Sequence, residues 1–326
     1  MRWTWVAPMV VVVALGMMLA AGCSGPGVDV ARVQSADLQD LAANNVSAVV
    51  LVRSWLNVLY AEEHKQGGCE RISESEWLPD GNIHMWGTNS DCSTYDYVWS
   101  PWGWGSGAIT YPDGVTCELS WSAPHVDGDL VTQDIHQTFH DGTQMDYTSG
   151  GVFGSHANTR EGTAVLADDR SMGFCHTRNR AGADDLLQLD LPDGSSLRMH
   201  VPFGGRFQDG YRPHFDQGAA GSFTGASGSR LDFDVSGTGD RSETWRMRGP
   251  DGSEGTFALS EDFEGTGRLE RDGRVAAALR WQADGDGILD MVGAGSAEVT
   301  PSAAARDFQV DRWVSTITAM GPAPMY

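Results

Sequence analysis

Three tryptophans stand close together in the segment 99–105, which reads WSPWGWG. Its proline and glycines predict a loop, and several large aromatic side chains in a loop are costly to leave in water. Exposed indole rings stack on sugar rings or anchor a protein partner, whereas rings that fold back would cover the end of a core. Trp99, Trp102 and Trp104 are therefore candidate ligand-stacking residues, in a glycan-binding module or a glycoside-active enzyme.

A second group, Asp284, Asp286 and Asp290, is similar to an abbreviated calcium-binding loop. Calcium prefers several oxygen ligands, and this segment lacks the third early aspartate and the closing bidentate glutamate of such loops. Its Asp-Gly pairs are also typical of hairpin turns. We expect no metal and no other cofactor, with calcium at these three residues as the alternative.

Catalytic signatures are missing from the chain. The motifs Gly-x-Ser-x-Gly and His-Glu-x-x-His do not occur, and neither do the glycine-rich phosphate loops. His136 and His140 are four residues apart, which on a strand of about 3.3 Å per residue separates them by about 13 Å. That distance is too long for one shared metal ion. The sequence therefore names no catalytic residue and favours a non-enzymatic binding or structural role.

Acidic residues dominate the charge of the chain. The sequence has 44 Asp and Glu against 22 Lys and Arg, which gives a formal net charge of −22. Such a surface repels phosphate backbones, so we expect no nucleic-acid partner. It also offers no basic attraction to anionic lipids, so attachment to a membrane would depend on a covalent lipid.

The N-terminus has the layout of an export signal. Arg2 precedes an apolar run over residues 6–19, which gives way to small residues and then to Cys23. The stretch 19–23, LAAGC, resembles the lipobox of bacterial lipoproteins. That resemblance implies that residues 1–22 are a cleaved signal peptide and that Cys23, the first mature residue, carries acyl chains such as palmitate. Residues 23–36 would form the lipidated tether.

The same resemblance implies a place in the cell envelope. Ser24 stands where an aspartate usually retains lipoproteins at the inner membrane, so in a host with two membranes the outer membrane is favoured. Two alternatives remain open. One is an uncleaved membrane helix, since residues 5–22 are just long enough to span a bilayer. The other is an ordinary cleaved signal with an incidental cysteine.

The cysteine count is odd, which in an exported protein usually indicates a free thiol. If Cys23 carries lipid, four cysteines remain, and an even number outside the cytoplasm suggests two disulfides. Four cysteines allow three connectivities. Closure between nearest neighbours favours Cys69–Cys92 and Cys117–Cys175.

Hydrophobic spacing divides the rest of the chain. From Asp37 to about Glu63, within the segment 37–66, apolar residues recur at steps of three and four, which predicts an amphipathic helix that packs on a core. From residue 67 the apolar period becomes two, as in 115–121 and 231–235. This alternation predicts antiparallel strands wetted on one face. The expected fold is mainly β, as an antiparallel meander, sandwich or extended curved sheet, with one N-terminal amphipathic α-helix.

Ten Asp-Gly dipeptides separate these strands and predict two-residue hairpin turns, in which both central residues need positive φ. Composition shifts from a Trp/Cys-rich β region at 67–180 to a Gly/Asp-rich β region at 181–326. These are two domains or one continuous domain.

The leading hypothesis is a membrane-anchored, extracytoplasmic protein that binds an envelope protein or a glycan, or plays a structural role there. A carrier of lipid cargo is a further alternative. It requires the sheet to curve around an open apolar cavity, and a helix at 37–63 that filled this cavity would remove the carrier hypothesis.

Overall fold

The computed structural model describes residues 35–63, 69–70, 72–89, 92–112, 114–153, 157–179, 184–202, 218–237, 242–260, 264–282 and 285–308. Helix α1, Ser35–Glu63, precedes twenty strands, and helix α2, Ala303–Phe308, follows them. The strands are β1 (Ile72–Trp77), β2 (Ile83–Thr88), β3 (Thr94–Trp99), β4 (Gly105–Thr110), β5 (Thr116–Trp121), β6 (His125–Asp127), β7 (Leu130–Phe139), β8 (Gln144–Val152), β9 (Ala157–Val165), β10 (Ser171–Asn179), β11 (Asp184–Asp190), β12 (Ser196–Pro202), β13 (Ala219–Thr224), β14 (Arg230–Gly237), β15 (Glu243–Arg248), β16 (Glu254–Leu259), β17 (Gly265–Arg271), β18 (Arg274–Trp281), β19 (Gly287–Met291) and β20 (Gly295–Val299).

The strands form one antiparallel meander, which confirms the expected fold class. Each strand pairs with the next along the chain, except that β5 passes over the short β6 to pair with β7. The sheet also crosses the composition boundary at residue 180. There β10 pairs with β11 along its length, from Gly173 opposite Asp190 to Asn179 opposite Asp184.

Alternation along the strands gives the sheet two faces. On β7, Val131, Ile135 and Phe139 are buried, whereas Asp134 and His136 are exposed. Because directly opposed residues share a face, buried positions continue from strand to strand from β3 onward, with the short β6 as the exception. We call the buried side the inner face and the other the outer face.

Helix α1 lies against the inner face of the second half of the sheet, where it contacts β12, β13 and β18–β20. Near its beginning Asp37, Gln39 and Asp40 are exposed. Every residue from Asn45 to Arg53 is buried. The expected core packing is thus confirmed, and over these nine residues the helix is enclosed on all sides.

Buried polar contacts join α1 to the sheet. Arg53 Nε lies 3.3 Å from Glu243 Oε2, both side chains being almost fully buried, and Arg53 also donates to the carbonyl of Ser260. Trp245 Nε1 donates to the same carboxylate at 2.9 Å. A buried charge is costly unless it is paired, so this contact fixes the helix against β15.

The turns correct the two-residue prediction. At Leu78, Phe139, Leu191 and Gly249, the amide N–H donates to the carbonyl four residues on, which leaves a three-residue loop. Only its glycine has positive φ, as in a type I turn followed by a bulge. The aspartate instead accepts the N–H two residues on, as Asp251 does from Ser253 at 3.0 Å. The predicted conformation, with positive φ at both Asp and Gly, occurs at Asp272-Gly273.

The cysteines confirm one expected disulfide and correct the other. Cys69 and Cys92 are bridged. Cys117 and Cys175 are free, so the predicted Cys117–Cys175 bond is wrong. Cys117 lies on the inner face of β5 and Cys175 on the outer face of β10. Four strand spacings of about 4.8 Å separate them across β7, β8 and β9, far beyond the reach of a disulfide.

Burial raises the pKa of the Cys117 thiol to about 12. Since only one pair is bridged, the cysteine count gives no independent support for a lipid at Cys23, which lies outside the described residues. Neither described helix is long and apolar enough to cross a bilayer.

Candidate functional site

The hairpin between β3 and β4 divides the three predicted tryptophans. Trp99 is buried on the inner face, with its ring 4.9 Å from that of Trp121. Trp102, at the tip of the turn, is 79% exposed, and Trp104 is 46% exposed. The prediction of a stacking surface therefore loses Trp99 and keeps the other two residues as exposed candidates.

Strand register places Trp104 on the outer face. Gly105 is buried and lies opposite Trp99 and Trp121 on the inner face. The preceding residue faces the other way because side chains alternate along a strand. Trp104 thus shares the outer face with Ser122, the residue after Trp121. The turn that carries Trp104 also packs on the segment containing Ser122, where Gln133 Nε2 donates both to Gly103 O at 2.9 Å and to Ser122 O at 2.7 Å.

The outer face of β5, β7, β8 and β9 forms an open groove of about 420 Å³, whose lining includes Ser122, the residue that shares the outer face with Trp104. This volume is in the range of small-ligand sites. Its polar lining combines hydroxyls, carboxylates and one imidazole, from Ser120, Ser122, Asp134, His136, Asp146, Thr148, Glu161 and Thr163. One cross-strand row runs Asp134, Thr148, Glu161. Neighbouring strands are about 4.8 Å apart, so the backbones that carry the two acids of this row are separated by about 10 Å across the sheet.

Hydrogen bonds hold these side chains in place. Thr148 Oγ1 donates to Asp134 Oδ1 at 2.7 Å. His136 bridges two groups, with Nδ1 2.6 Å from Asp146 Oδ1 and Nε2 3.1 Å from Thr138 Oγ1. The His136 and Asp146 side chains are 47% and 65% exposed. The groove therefore presents fixed donors and acceptors that stay open to water and to a hydroxyl-rich ligand.

The outer face around the groove is acidic. The described strands β1–β9 carry eight exposed carboxylates, at Glu74, Glu76, Asp96, Glu118, Asp127, Asp134, Asp146 and Glu161. Their one arginine, Arg160, is buried on the inner face, and they contain no lysine. An anionic ligand would be repelled from this surface.

The sequence did not identify the groove residues. Alternation places Asp134 and His136 on one face of a strand, and that part of the site was readable. Their meeting with Asp146, Thr148 and Glu161 depends on which strands pair and in which register, and hydrophobic period alone specifies neither.

The candidate calcium residues lie elsewhere. Asp284 is outside the described residues, and Asp286 pairs with Arg306. Asp290 accepts from Ser296 Oγ at 2.5 Å and from Arg280, and these bonds hold the pKa of its carboxyl below the ordinary value. Both described carboxylates are thus occupied by protein donors. In the part of the chain that the structure describes, no group of three or more His, Cys, Asp or Glu side chains is arranged to hold a metal ion.

The lipid-carrier hypothesis required an open cavity inside the curved sheet. Helix α1 lies there instead, with Val46, Val49, Leu51 and Trp55 completely buried against the described strands. We therefore do not pursue that hypothesis.

No protein-family model and no curated protein matches this chain. The interpretation of the site therefore rests on its own geometry and chemistry.

Proposed function

We propose that this chain is a lipid-anchored, extracytoplasmic bacterial lipoprotein that binds a glycan of the cell envelope without cleaving it. The anchor is Cys23 of the lipobox-like stretch 19–23, and in a host with two membranes the protein belongs at the outer one. The lipid confines the folded part to the membrane surface, where the effective concentration of envelope partners is high.

One observation carries the glycan proposal: half-exposed Trp104 stands on the same face as a groove lined by hydroxyls, carboxylates and His136. A sugar ring has an apolar C–H face, which stacks on an indole, and a periphery of hydroxyls, which both donate and accept hydrogen bonds. The acidic surroundings favour a neutral or amine-bearing glycan over a uronate polymer.

The groove favours binding over hydrolysis. A glycosidase needs a carboxyl kept protonated in an apolar, desolvated pocket, so that it can act as general acid. Here Asp134 accepts a hydrogen bond from Thr148, Asp146 contacts His136, and both acids are exposed. Carboxylates that are hydrogen-bonded and open to water in this way suit recognition of sugar hydroxyls.

The test is binding of the full-length chain to insoluble chitin, cellulose and purified peptidoglycan. We expect at least one of these to retain the protein, and Trp104→Ala to weaken retention about tenfold or more, the usual effect of a central aromatic anchor. Asp134→Asn should also weaken it. Trp77→Ala is the matched control, since Trp77 is also an exposed tryptophan but lies on β1, away from the groove strands. Retention unchanged by Trp104→Ala and Asp134→Asn would overturn the proposal.

The anchor is tested separately. Intact-mass analysis of the mature protein should show a chain that begins at Cys23 and carries acyl groups, and Cys23→Ser should release the protein from membranes. An unlipidated chain beginning at another residue, or a chain that retains Met1, would contradict the lipoprotein assignment.

A further inference from the structure

Exposed apolar side chains concentrate at one end of the sheet. We call this the tryptophan end, formed by the connections β1–β2, β3–β4, β5–β7 and β8–β9 with the strand residues beside them. Besides Trp104, which stands on the outer face with the groove, six of the eleven exposed large apolar residues in the described chain lie there: Trp77, Trp102, Val126, Leu130, Val152 and Phe153. Four of these, Trp77, Trp102, Val126 and Phe153, are more than 60% exposed. Such a concentration is typical of an interaction surface.

Three of the four connections at this end, β3–β4, β5–β7 and β8–β9, are held against one another. The turn at 100–104 is fixed by Gln133, which donates to Gly103 and Ser122. Leu130 lies opposite Val152 across the β7–β8 pair, and Phe153 N donates to Asp129 O at 2.7 Å. The apolar side chains therefore stand on a framework already ordered before any partner arrives, which lowers the entropic cost of binding.

Carboxylates dominate the charge around these apolar groups. The described charged residues along this end are Glu76, Asp80, Asp127 and Asp129, with His84 in contact with Glu76, His125 beside the others, and no described arginine or lysine. A second copy of the chain would bring the same acids to a symmetric interface, and an anionic lipid surface would also be repelled. A partner with a basic rim would be attracted.

We propose that the tryptophan end is a docking surface for a protein partner that is apolar at its centre and rich in lysine or arginine around it. Trp77 and Trp102 are the anchors, because they are the most exposed indoles among the described residues and aromatic residues dominate the energetics of such interfaces. This surface is distinct from the glycan groove, which uses Trp104 on the outer face.

The probe is an amphipathic helical peptide of leucine and lysine, with a leucine–glutamate peptide of the same pattern as its control. Binding to the full-length chain carrying Cys23→Ser is measured by calorimetry. We expect the lysine peptide alone to bind, less tightly as salt is raised. The double variant Trp77→Ser/Trp102→Ser should weaken its binding by at least about tenfold.

The matched control is Val275→Ser/Val292→Ser, which removes two apolar side chains that are also exposed but lie elsewhere. Equal loss in both double variants, or no loss in either, would overturn the proposal, because binding would then follow overall charge. Tryptophan-dependent binding to phosphatidylcholine vesicles would overturn it in favour of lipid. A dimer abolished by Trp77→Ser/Trp102→Ser would overturn it in favour of self-association.

The glycan assay separates the two proposals. Trp77→Ser/Trp102→Ser should keep glycan retention while losing the peptide, and Trp104→Ala should do the reverse. A protein that binds no glycan but still binds the lysine peptide through Trp77 and Trp102 would sink the proposed function and leave the docking surface intact.

Discussion

The outer faces of the two halves of the sheet differ in charge, although both are built from the same hairpins. In β1–β9, eight exposed acids face outward with no exposed arginine. In β10–β20, seven exposed arginines alternate with acids, and several pair at contact distance, among them Arg230–Asp232 at 2.9 Å and Arg268–Glu270 at 2.7 Å. In the second half, arginines on the same face pair with the exposed acids. In the first half, no arginine on the outer face balances the exposed acids.

The inner faces differ as well. The second half encloses α1 through contacts from β12, β13 and β18–β20. Both the proposed glycan groove and the tryptophan end belong to the first half. On the two proposals above, the half with a helical core supplies a scaffold, and the half with open acids and tryptophans supplies recognition. Binding residues positioned by a rigid scaffold are the usual arrangement.

The largest expected effect is at the joint between α1 and β15. Arg53→Leu should lower the free energy of unfolding by about 3–5 kcal/mol, because it leaves the Glu243 carboxylate buried without its cation. Burial already raises the pKa of Glu243 despite Arg53. The double variant Arg53→Leu/Glu243→Leu should recover most of the loss. Urea unfolding measures all three, and a loss below about 1 kcal/mol for Arg53→Leu would show that the helix is not anchored there.

Thiol labelling tests whether inner and outer faces continue through both halves. Unreduced, folded protein should expose Cys175 to a thiol reagent, slowly because burial and Glu161 raise its pKa, while Cys117 stays protected. After unfolding in denaturant both should react. If neither thiol reacts in the unfolded, unreduced chain, a Cys117–Cys175 disulfide exists and the strand order given above is wrong.

The wrong prediction of a Cys117–Cys175 disulfide shows what the hydrophobic pattern can and cannot predict. Period two in 115–121 correctly indicates that Cys117 faces inward. It does not reveal how many strands separate Cys117 from Cys175. The predicted pairing therefore depended on the assumption that cysteines adjacent in sequence form disulfides. The assumption holds for Cys69 and Cys92 because these residues flank the single hairpin of β1 and β2.

The tryptophan loop shows the same limit. The glycines and proline of 99–105 correctly predicted a turn. Because the turn closes with Ser100 opposite Trp104, Trp99 faces inward and Trp104 outward, and a closure shifted by one residue would reverse this. For α1, the run 48–52 is apolar at every position, which indicates enclosure on all sides, and the three-and-four spacing did not show this.

Opposite effects on stability should follow from removing one acid in each half. Glu161→Gln should raise the free energy of unfolding by a few tenths of a kcal/mol, since it relieves repulsion among the groove acids. Asp234→Asn should lower it by a similar amount, since Asp234 lies 3.2 Å from Arg248. Both effects should shrink in about 0.5 M NaCl. If both variants changed the free energy of unfolding in the same direction, the two halves would not differ in charge balance as described.

The smallest effect concerns His84, a histidine of the acidic half whose protonated form is stabilised by neighbouring carboxylates. It lies on β2 between two carboxylates, with Nε2 3.0 Å from Asp96 and Nδ1 3.3 Å from Glu76. These bonds, that to Asp96 first, raise the pKa of His84 above its ordinary value of 6.5. NMR titration should show this raised pKa, and Asp96→Asn should bring it back down.

The sign of the pH dependence follows from that shift. A histidine whose pKa is higher in the folded state stabilises the protein fully below its unfolded pKa, and the contribution is lost as pH rises through the folded pKa. The free energy of unfolding of the wild type should therefore exceed that of His84→Gln by more at about pH 5.5 than at about pH 8.5. A larger difference at the higher pH would mean that His84 acts as a neutral hydrogen-bonding group. The acidic half would then carry its charge without any internal compensation.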